Sequence, residues 1–306
     1  MKKVVVTGAN GFVGKAFTAS LVNAGHEVFQ LNSSIWDIRE PPPSHVIDKF
    51  KNAEIIFHLA AYIPKNYSDL KELQKCNDVN GLGTFNVLTL AHDAGIENFV
   101  HVSSANLLQS NGLKFVDKDS PYDCSRAMPY LSSKVLAEMY VKGFYAPNMM
   151  KLIVRPSSLY SIDKPCSILS YIKKCVKNES DIELYNNGSF AADYLLLGDF
   201  IKTLTYIAET PKVIKEIILE ELSKNGYSKA GILNVGSGRV TRHLDIARQV
   251  CFLKNLDPWK VIKFRRKDEN RKFGFGAIKE SNLLKDAGFN PVYILDQKHF
   301  SKLVNF

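Results

Sequence analysis

Tyr130 and Lys134 stand four residues apart in Tyr130-Leu131-Ser132-Ser133-Lys134, a spacing that puts both on one face of a helix. An ordinary tyrosine hydroxyl titrates near 10, roughly three units too high to exchange protons easily at neutral pH. A neighbouring ammonium favours the phenolate, so Lys134 is expected to pull that value down. Lowering it by about three units corresponds to roughly 4 kcal/mol of electrostatic help. Tyr130 then becomes a usable general acid/base for interconverting an alcohol and a ketone. The sequence holds a second such pair, Tyr67-Ser68-Asp69-Leu70-Lys71, read as a surface pair without catalytic meaning. Chain order selects Tyr130, because it follows the apolar run Phe99-Val100-His101-Val102-Ser103-Ser104. Ser104, at the carboxyl end of that predicted strand, would donate a hydrogen bond to the reacting oxygen; the plainer alternative is a strand-end hydroxyl satisfying backbone.

A hydride carrier is suggested at the other end of the chain. Val4-Val5-Val6-Thr7 runs into Gly8-Ala9-Asn10-Gly11-Phe12-Val13-Gly14. Three consecutive valines suit a strand buried on both faces at the centre of a parallel sheet. Gly8 permits the tight turn, Gly11 removes a Cβ that would block a pyrophosphate, and Gly14 lets the next helix pack on the strand. The helix N-terminus adds positive potential for a diphosphate. Asn10, Phe12 and Val13 belong to the same phosphate-holding turn. The expected ligand is a dinucleotide, and Lys134 would donate hydrogen bonds to its ribose.

The elements that must position these groups alternate. Strands are expected at Lys3–Thr7, Glu27–Leu31, Glu54–Leu59, Asn98–Ser103 and Lys151–Arg155, with helices at Phe12–Ala24, His45–Lys51, Val79–Asp93 and from Pro129 to Gly143. This predicts an α/β, doubly wound parallel sheet. After Pro156 the pattern loosens, which predicts a smaller lobe over the carboxyl edge of the sheet. The division is a dinucleotide-binding domain over 1–160 and a substrate-binding lobe over 161–306, with segments crossing back to the first domain.

The 306 residues are 45% hydrophobic and 23% charged, which argues against disorder. A net charge of +9 allows an anionic partner, either a diphosphate-bearing small molecule or a nucleic acid, or else only a basic surface. No nucleic-acid-binding motif is present, so nucleic acid is not the expected partner. The five cysteines, Cys76, Cys124, Cys166, Cys175 and Cys251, show neither a CxxC pair nor metal spacing and read as free thiols with no metal. The first strand begins at residue 3, leaving no room for a signal peptide, and no apolar run approaches the roughly 18 residues a bilayer requires. A cytoplasmic protein without membrane contact is expected.

The motifs, taken in order, resemble those of the extended short-chain dehydrogenase/reductases, and the sugar-nucleotide branch is the nearest match. Thr7-Gly8-x-x-Gly11-x-x-Gly14, His58-Leu59-Ala60-Ala61, Asn80-x-x-Gly83-Thr84, Ser103-Ser104 and Tyr130-x-x-x-Lys134 carry the resemblance through the first half. Arg155-Pro156-x-x-x-Tyr160 resembles RPxNxYG, and Asp193 to Asp199 resembles DFxYVDD. Asn234-Val235-Gly236-Ser237-Gly238 resembles NVGSG, and Ala287-Gly288-Phe289-Asn290-Pro291 resembles LGWxP. The resemblance implies a catalytic triad of Ser104, Tyr130 and Lys134, with hydride moving between a nicotinamide and a sugar carbon. It implies that Leu59, Ala60 and Ala61 run past the cofactor, and that Asp37 and Ile38, in an Asp37-Ile38-Arg39 segment, contact adenine. Asn80 resembles the asparagine that orders a proton-relay water, with a structural asparagine as the alternative. A homodimer through the helices Val79–Asp93 and Tyr130–Gly143 is also implied.

The departures from the pattern narrow the chemistry. Asn32 and Ser33 stand where NAD-dependent relatives often place an Asp for the ribose 2′-OH. Asn32 lacks the charge that would repel a 2′-phosphate, so NADP(H) is favoured over NAD(H). Ala105-Asn106 replaces the Asp-Glu of 4,6-dehydratases, and neither residue titrates, which excludes that elimination. The cysteine of 3,5-epimerising reductases is missing at Asn106. Ala192 precedes Asp193 where an Arg commonly binds the substrate diphosphate, and Ser158 replaces the Asn of RPxNxYG. Arg265 or Arg266 is the expected substitute, since Arg matches phosphate oxygens bidentately; a solvated basic loop is the alternative. Substrate contacts are thus expected from Ser104, Asn106, Tyr130, Ser158, Arg265 and Arg266. The substrate is a nucleoside-diphosphate sugar and the reaction an NADP(H)-dependent reduction of a 4-keto-6-deoxysugar, with an NAD-dependent 4-epimerase as the alternative. A non-catalytic dinucleotide sensor would be expected to have lost Tyr130 or Lys134.

Overall fold

The computed structural model describes residues 1–108, 116–123, 129–164, 166–223, 230–265 and 285–289. The first half runs β1 (Lys3–Thr7), α1 (Phe12–Asn23), β2 (Glu27–Leu31), α2 (Ser44–Lys51), β3 (Ile55–His58), α3 (Leu70–Asn77), α4 (Gly83–Asp93), β4 (Asn98–Val102), α5 (Pro129–Gly143) and β5 (Met150–Pro156). It continues with β6 (Ser158–Tyr160), α6 (Ser167–Lys177), β7 (Ile182–Tyr185), β8 (Ala191–Leu196), α7 (Leu197–Glu209), α8 (Pro211–Ser223), β9 (Gly231–Val235), β10 (Val240–Arg242), α9 (His243–Leu253), α10 (Pro258–Val261) and β11 (Ile262–Arg265).

Six strands form one parallel sheet in the order β2-β1-β3-β4-β5-β9. The expected doubly wound α/β fold is therefore the observed one. Its central strands are buried on both sides because helices cover both faces. Val4 and Val6 join the core under α1, α7 and α8, while Val5 joins the opposite core under α2 and α4. In α1, Gly14, Phe17, Thr18 and Leu21 are buried, a helical stripe that aims Phe17 edge-on at Phe57 with ring centroids 4.7 Å apart. Each such side chain fully buried is worth about 1.5–3 kcal/mol.

The chain steps from β1 out to β2, then returns to lay β3 on the other side of β1. The switch point therefore lies between β1 and β3, the place where open α/β sheets bind ligands at their carboxyl ends. One helix differs from expectation. The run predicted as a helix from Val79 opens as a π-helical turn, Asp78–Leu82, that joins α3 to α4. Hydrophobic periodicity does not register one widened turn.

The later elements divide between two cores. α7, α8 and β9 return to the main sheet, with β9 pairing along β5 from Leu152↔Gly231 to Pro156↔Val235. A hydroxyl pair, Ser20 Oγ to Thr205 Oγ1 at 2.9 Å, links α1 to α7. The remaining elements close a second core around Ile172, Leu184, Tyr194 and Val250. It is built on the sheet β10-β8-β6 and the parallel pair β7–β11. No helix among the described residues is long and apolar enough to cross a membrane.

Candidate active site

The glycine turn lies at the switch point. Gly8 adopts φ +68°, and a Cβ there would come within 2.7 Å of the Ala60 nitrogen. A Cβ on Gly14 would come within 2.2 Å of the Gly8 carbonyl. The turn is therefore pressed against the end of β3 and the start of α1, and only glycine fits at both points. Gly11 is exposed and caps α1 without a side-chain hydrogen bond, and the first turn holds no acidic residue. The turn thus presents N–H groups and positive helix potential without steric cover, a cradle that fits the pyrophosphate of a dinucleotide. Asn10 is exposed, while Phe12 and Val13 are half-buried beside it.

A buried polar chain fixes this cradle, and it was not foreseen from the sequence. The Ala60 N–H donates to Thr7 Oγ1 at 3.2 Å, and Thr7 Oγ1 lies 2.7 Å from His58 Nδ1. His58 Nε2 lies 2.9 Å from Thr84 Oγ1, whose hydroxyl donates to the Asn80 carbonyl at 2.6 Å. That last bond leaves the Thr84 oxygen to accept, so His58 carries its proton on Nε2. Burial, reinforced by the Lys134 charge, pushes His58 down to about 3. A neutral ring therefore ties β1, β3 and the start of α4 together. His101 stacks on it with ring centroids 5.3 Å apart and is likewise held well below its usual value by burial.

At the end of β2, Asn32 Oδ1 accepts the Ser34 N–H at 2.9 Å. This local turn engages the acceptor and leaves the amide donors of Asn32 without a partner among the described residues. Ser33 is exposed. Asp37 is gripped by Arg39, with Nε 2.9 Å from Oδ1 and Nη2 2.5 Å from Oδ2. Ile38 is buried against Gly83 of α4. Leu59 and Ala60 are half-buried and Ala61 is exposed.

Pro129 opens α5, where its missing N–H costs nothing. Tyr130 is half-buried in the first turn, and Lys134, one turn on, is buried. The Lys134 ammonium donates to the Val102 carbonyl at 2.8 Å, at the carboxyl end of β4. Ser104 lies two residues beyond, its Oγ accepting the Asn106 N–H at 3.2 Å. Burial pushes the Lys134 ammonium down to about 8, against the opposing pull of Glu138 and Cys76. Tyr130 departs from expectation: burial pushes its hydroxyl up to about 12, and Cys76 and Tyr67 add to the shift. Lys134 does not lower it, because the buried phenolate would lose more hydration than a lysine turned toward β4 returns. Tyr67 and Lys71 do not share a helix face, since Asp69 caps α3 between them.

Two further groups escaped sequence reasoning. Glu138, four residues after Lys134, is fully buried. It accepts Arg155 Nε at 2.8 Å and Nη2 at 2.6 Å, and the Tyr122 hydroxyl at 2.7 Å. Burial pushes the Glu138 carboxyl up, but the hydrogen bonds and charge of Arg155 outweigh this and hold it below its ordinary value. The i, i+4 spacing from Lys134 was the available signal. Lys164, on the loop after β6, sits with Nζ 4.7 Å from the centre of the Phe12 ring. Nothing in its local sequence marks it.

Asn80 is structural. Its Oδ1 accepts the Tyr62 N–H at 2.6 Å, and its Nδ2 donates to the Tyr62 carbonyl and Ser133 Oγ, each at 2.9 Å. Both amide donors are thereby engaged, and Oδ1 keeps one lone pair. Asp193 is buried, accepting Ser157 Oγ, Ser237 N and Oγ, and the Gly238 N–H. It ties β8 to the turn after β9.

Beside this machinery the second core opens a cavity of about 720 Å³, lined by Ser158, Tyr171, Glu183, Tyr185, Ala192 and His243 among others. Ser158 and Ala192 both line it. Arg265 is exposed and pairs with Glu183 across the β7–β11 ribbon. Arg266, with Cys124, Asn290 and Pro291, lies outside the described residues.

Residues 4–220 match the sequence model of the NAD dependent epimerase/dehydratase family. A protein of Methanocaldococcus jannaschii described as a putative UDP-glucose 4-epimerase is 26% identical over 220 residues, which is 65% of this chain and 71% of that one. The dTDP-4-dehydrorhamnose reductase of Mycolicibacterium smegmatis is 22% identical over 267 residues, 85% of this chain and 72% of its own. Among solved structures, MoeE5 in complex with UDP-glucuronic acid and NAD superposes with a TM-score of 0.74 at 20% identity, covering 99% of this chain and 97% of that one. At that identity the superposition speaks for the fold alone.

Proposed function

Because the chain belongs to the NAD dependent epimerase/dehydratase family, we propose that it is an NADP(H)-dependent 4-ketoreductase of a nucleotide-linked 4-keto-6-deoxysugar. The bound dinucleotide would supply the hydride. Gly8, Gly11 and Gly14, with the backbone of Asn10, Phe12 and Val13, would hold its pyrophosphate, and Leu59, Ala60 and Ala61 would flank it. The amide donors of Asn32 and the hydroxyl of Ser33 suit the oxygens of a 2′-phosphate. Lys134 would hold the ribose. Ser104 would steady the C4 carbonyl oxygen while Tyr130 gives it a proton.

The observation that carries the preference for NADP(H), and with it the reductase, is Asn32, whose Oδ1 accepts the Ser34 N–H while its amide donors have no partner among the described residues. The Tyr130 hydroxyl, pushed up to about 12 by burial, is protonated at neutral pH, the form in which it gives a proton to the C4 oxygen in either reading. Ala105 and Asn106 offer no acid or base for elimination at C5 and C6. The 4-epimerase reading is favoured by the methanogen relative, uses the same residues and would retain NAD through a closed cycle. Arg265 is the cation proposed for the substrate diphosphate. A homodimer is proposed through α4, the π-helical turn that leads into it, and α5, whose outer surface leaves Leu82, Phe85 and Met139 47%, 38% and 49% exposed.

The test is to denature the purified protein, identify any released dinucleotide, and titrate the emptied protein with NADPH and NADH. Preference for NADPH, together with its oxidation by dTDP-4-keto-6-deoxyglucose, supports the ketoreductase. Retained NAD with interconversion of UDP-glucose and UDP-galactose replaces it by the epimerase.

A further inference from the structure

The cavity of the second core has an unexpected electrostatic character. Among the described residues its lining contains one formal charge, the carboxylate of Glu183. The His243 ring is held neutral by burial, which lowers it. At Ala192 the wall carries a methyl group. A cavity that must receive a diphosphate is thus lined by an anion.

The cations stand on the adjoining strand. β7 and β11 pair in parallel with Glu183 opposite Lys263 and Tyr185 opposite Arg265. Directly paired residues share a face, so Glu183, Tyr185, Lys263 and Arg265 form one side of the ribbon. Ile182, Leu184, Ile262 and Phe264 form the other. Glu183, Leu184 and Tyr185 all line the cavity and neither cation does; Arg265 reaches its edge through Glu183. Arg265 Nη2 is bonded to Glu183 Oε1, and Lys263 has no partner among the described residues. The position of Glu183 is itself fixed, because its N–H donates to the Tyr171 hydroxyl at 2.9 Å.

We propose that Glu183 competes with the substrate diphosphate for Arg265 and so sets how tightly the diphosphate is held. The carboxylate engages Nη2 of the guanidinium that a phosphate needs, so an anionic ligand binds by exchange. A diphosphate brings a second anionic group, which Lys263 is placed to receive. A monophosphate brings one and gains little over the carboxylate it displaces. The exchange costs either ligand the same ion pair, so Glu183 lowers absolute affinity, while the preference for diphosphates comes from Lys263. This rests on the nucleoside-diphosphate substrate proposed above.

The experiment is calorimetric titration of UDP, dTDP, UMP and dTMP into the wild type, Glu183→Gln, Glu183→Ala and Arg265→Gln. Both Glu183 variants should bind the diphosphates about two- to tenfold more tightly, the range expected for freeing one partner of an exposed ion pair. They should bind the monophosphates more tightly by no more than the same factor, because both ligands displace the same carboxylate. Arg265→Gln should weaken the diphosphates most. Glu183 variants that fold normally by thermal melting yet bind diphosphates no better than the wild type overturn this proposal alone. A wild type that binds NADPH or NADH but no nucleoside diphosphate overturns the substrate reading together with it.

Discussion

Lys134 is kept at a cost that its surroundings make measurable. Its ammonium titrates near 8 in the folded chain and near 10.4 in an unfolded one. The unfolded state therefore holds more protons between those values. The penalty for burying the charge is complete below about 8 and is relieved as pH rises toward the unfolded value. Lys134→Met should accordingly raise the melting temperature by a few degrees at pH 7, with the gain shrinking at pH 10, while dinucleotide binding weakens. A lower melting temperature at pH 7 would mean that the bond to Val102 outweighs the desolvation. Tyr130→Phe should reduce turnover about 100-fold or more with dinucleotide affinity retained; turnover within a few-fold of wild type would remove Tyr130 as the proton donor. The Tyr-Lys spacing could be read from the sequence, but the sign of the Tyr130 shift could not. Spacing reports which side chains share a helix face, whereas burial depends on Tyr67 and Cys76 arriving from a separate helix and loop.

At the scale of elements, α5 is held by the Glu138–Arg155–Tyr122 network. Removing one partner of a buried ion pair leaves the other charge uncompensated, which costs about 3–5 kcal/mol. Arg155→Met should therefore destabilise the protein by that order in urea denaturation and lower turnover, because α5 carries both Tyr130 and Lys134. The carboxyl of Glu138 sits below its ordinary value. Its contribution is present above the unfolded carboxylate range and is lost as pH falls through the lower folded value. Glu138→Gln should flatten that acid limb. The strands and most helices were legible because β1 and β5 carry apolar runs, Val4-Val5-Val6 and Leu152-Ile153-Val154, and α1 keeps helical spacing. The π-helical turn was not, since Asp78–Leu82 is stabilised by what Asn80 and Thr84 reach on other elements. The Glu138–Arg155 pair was also missed, because its two charges belong to different elements and look solvated in sequence.

At the scale of the whole molecule, the two cores meet across the dinucleotide cradle, where Lys164 lies over Phe12. Lys164→Gln removes the cation from that contact. It should weaken binding of NADPH or NADH by a few-fold in fluorescence titration, since an ammonium beside the pyrophosphate cradle favours an anion there. The exposed apolar side chains on α4 and α5 predict self-association: Phe85→Glu with Met139→Glu should shift sedimentation from dimer to monomer. The doubly wound order was legible from alternation. The return of α7, α8 and β9 to the first core was expected only as unspecified segments crossing back, because pairing between distant strands leaves no local pattern.

That return has a consequence for biosynthesis. β5 is buried along its whole length, and one of its two edges is covered only by β9. A nascent chain that has emerged only as far as β8 must carry that edge unpaired, with α7 and α8 still missing from the opposite face. Unpaired apolar edges recruit other chains. A ribosome paused ahead of Gly231 is therefore expected to hold a chaperone client. Chains terminated there should be recovered in the insoluble fraction, whereas termination after Val235 should restore a protease-resistant core.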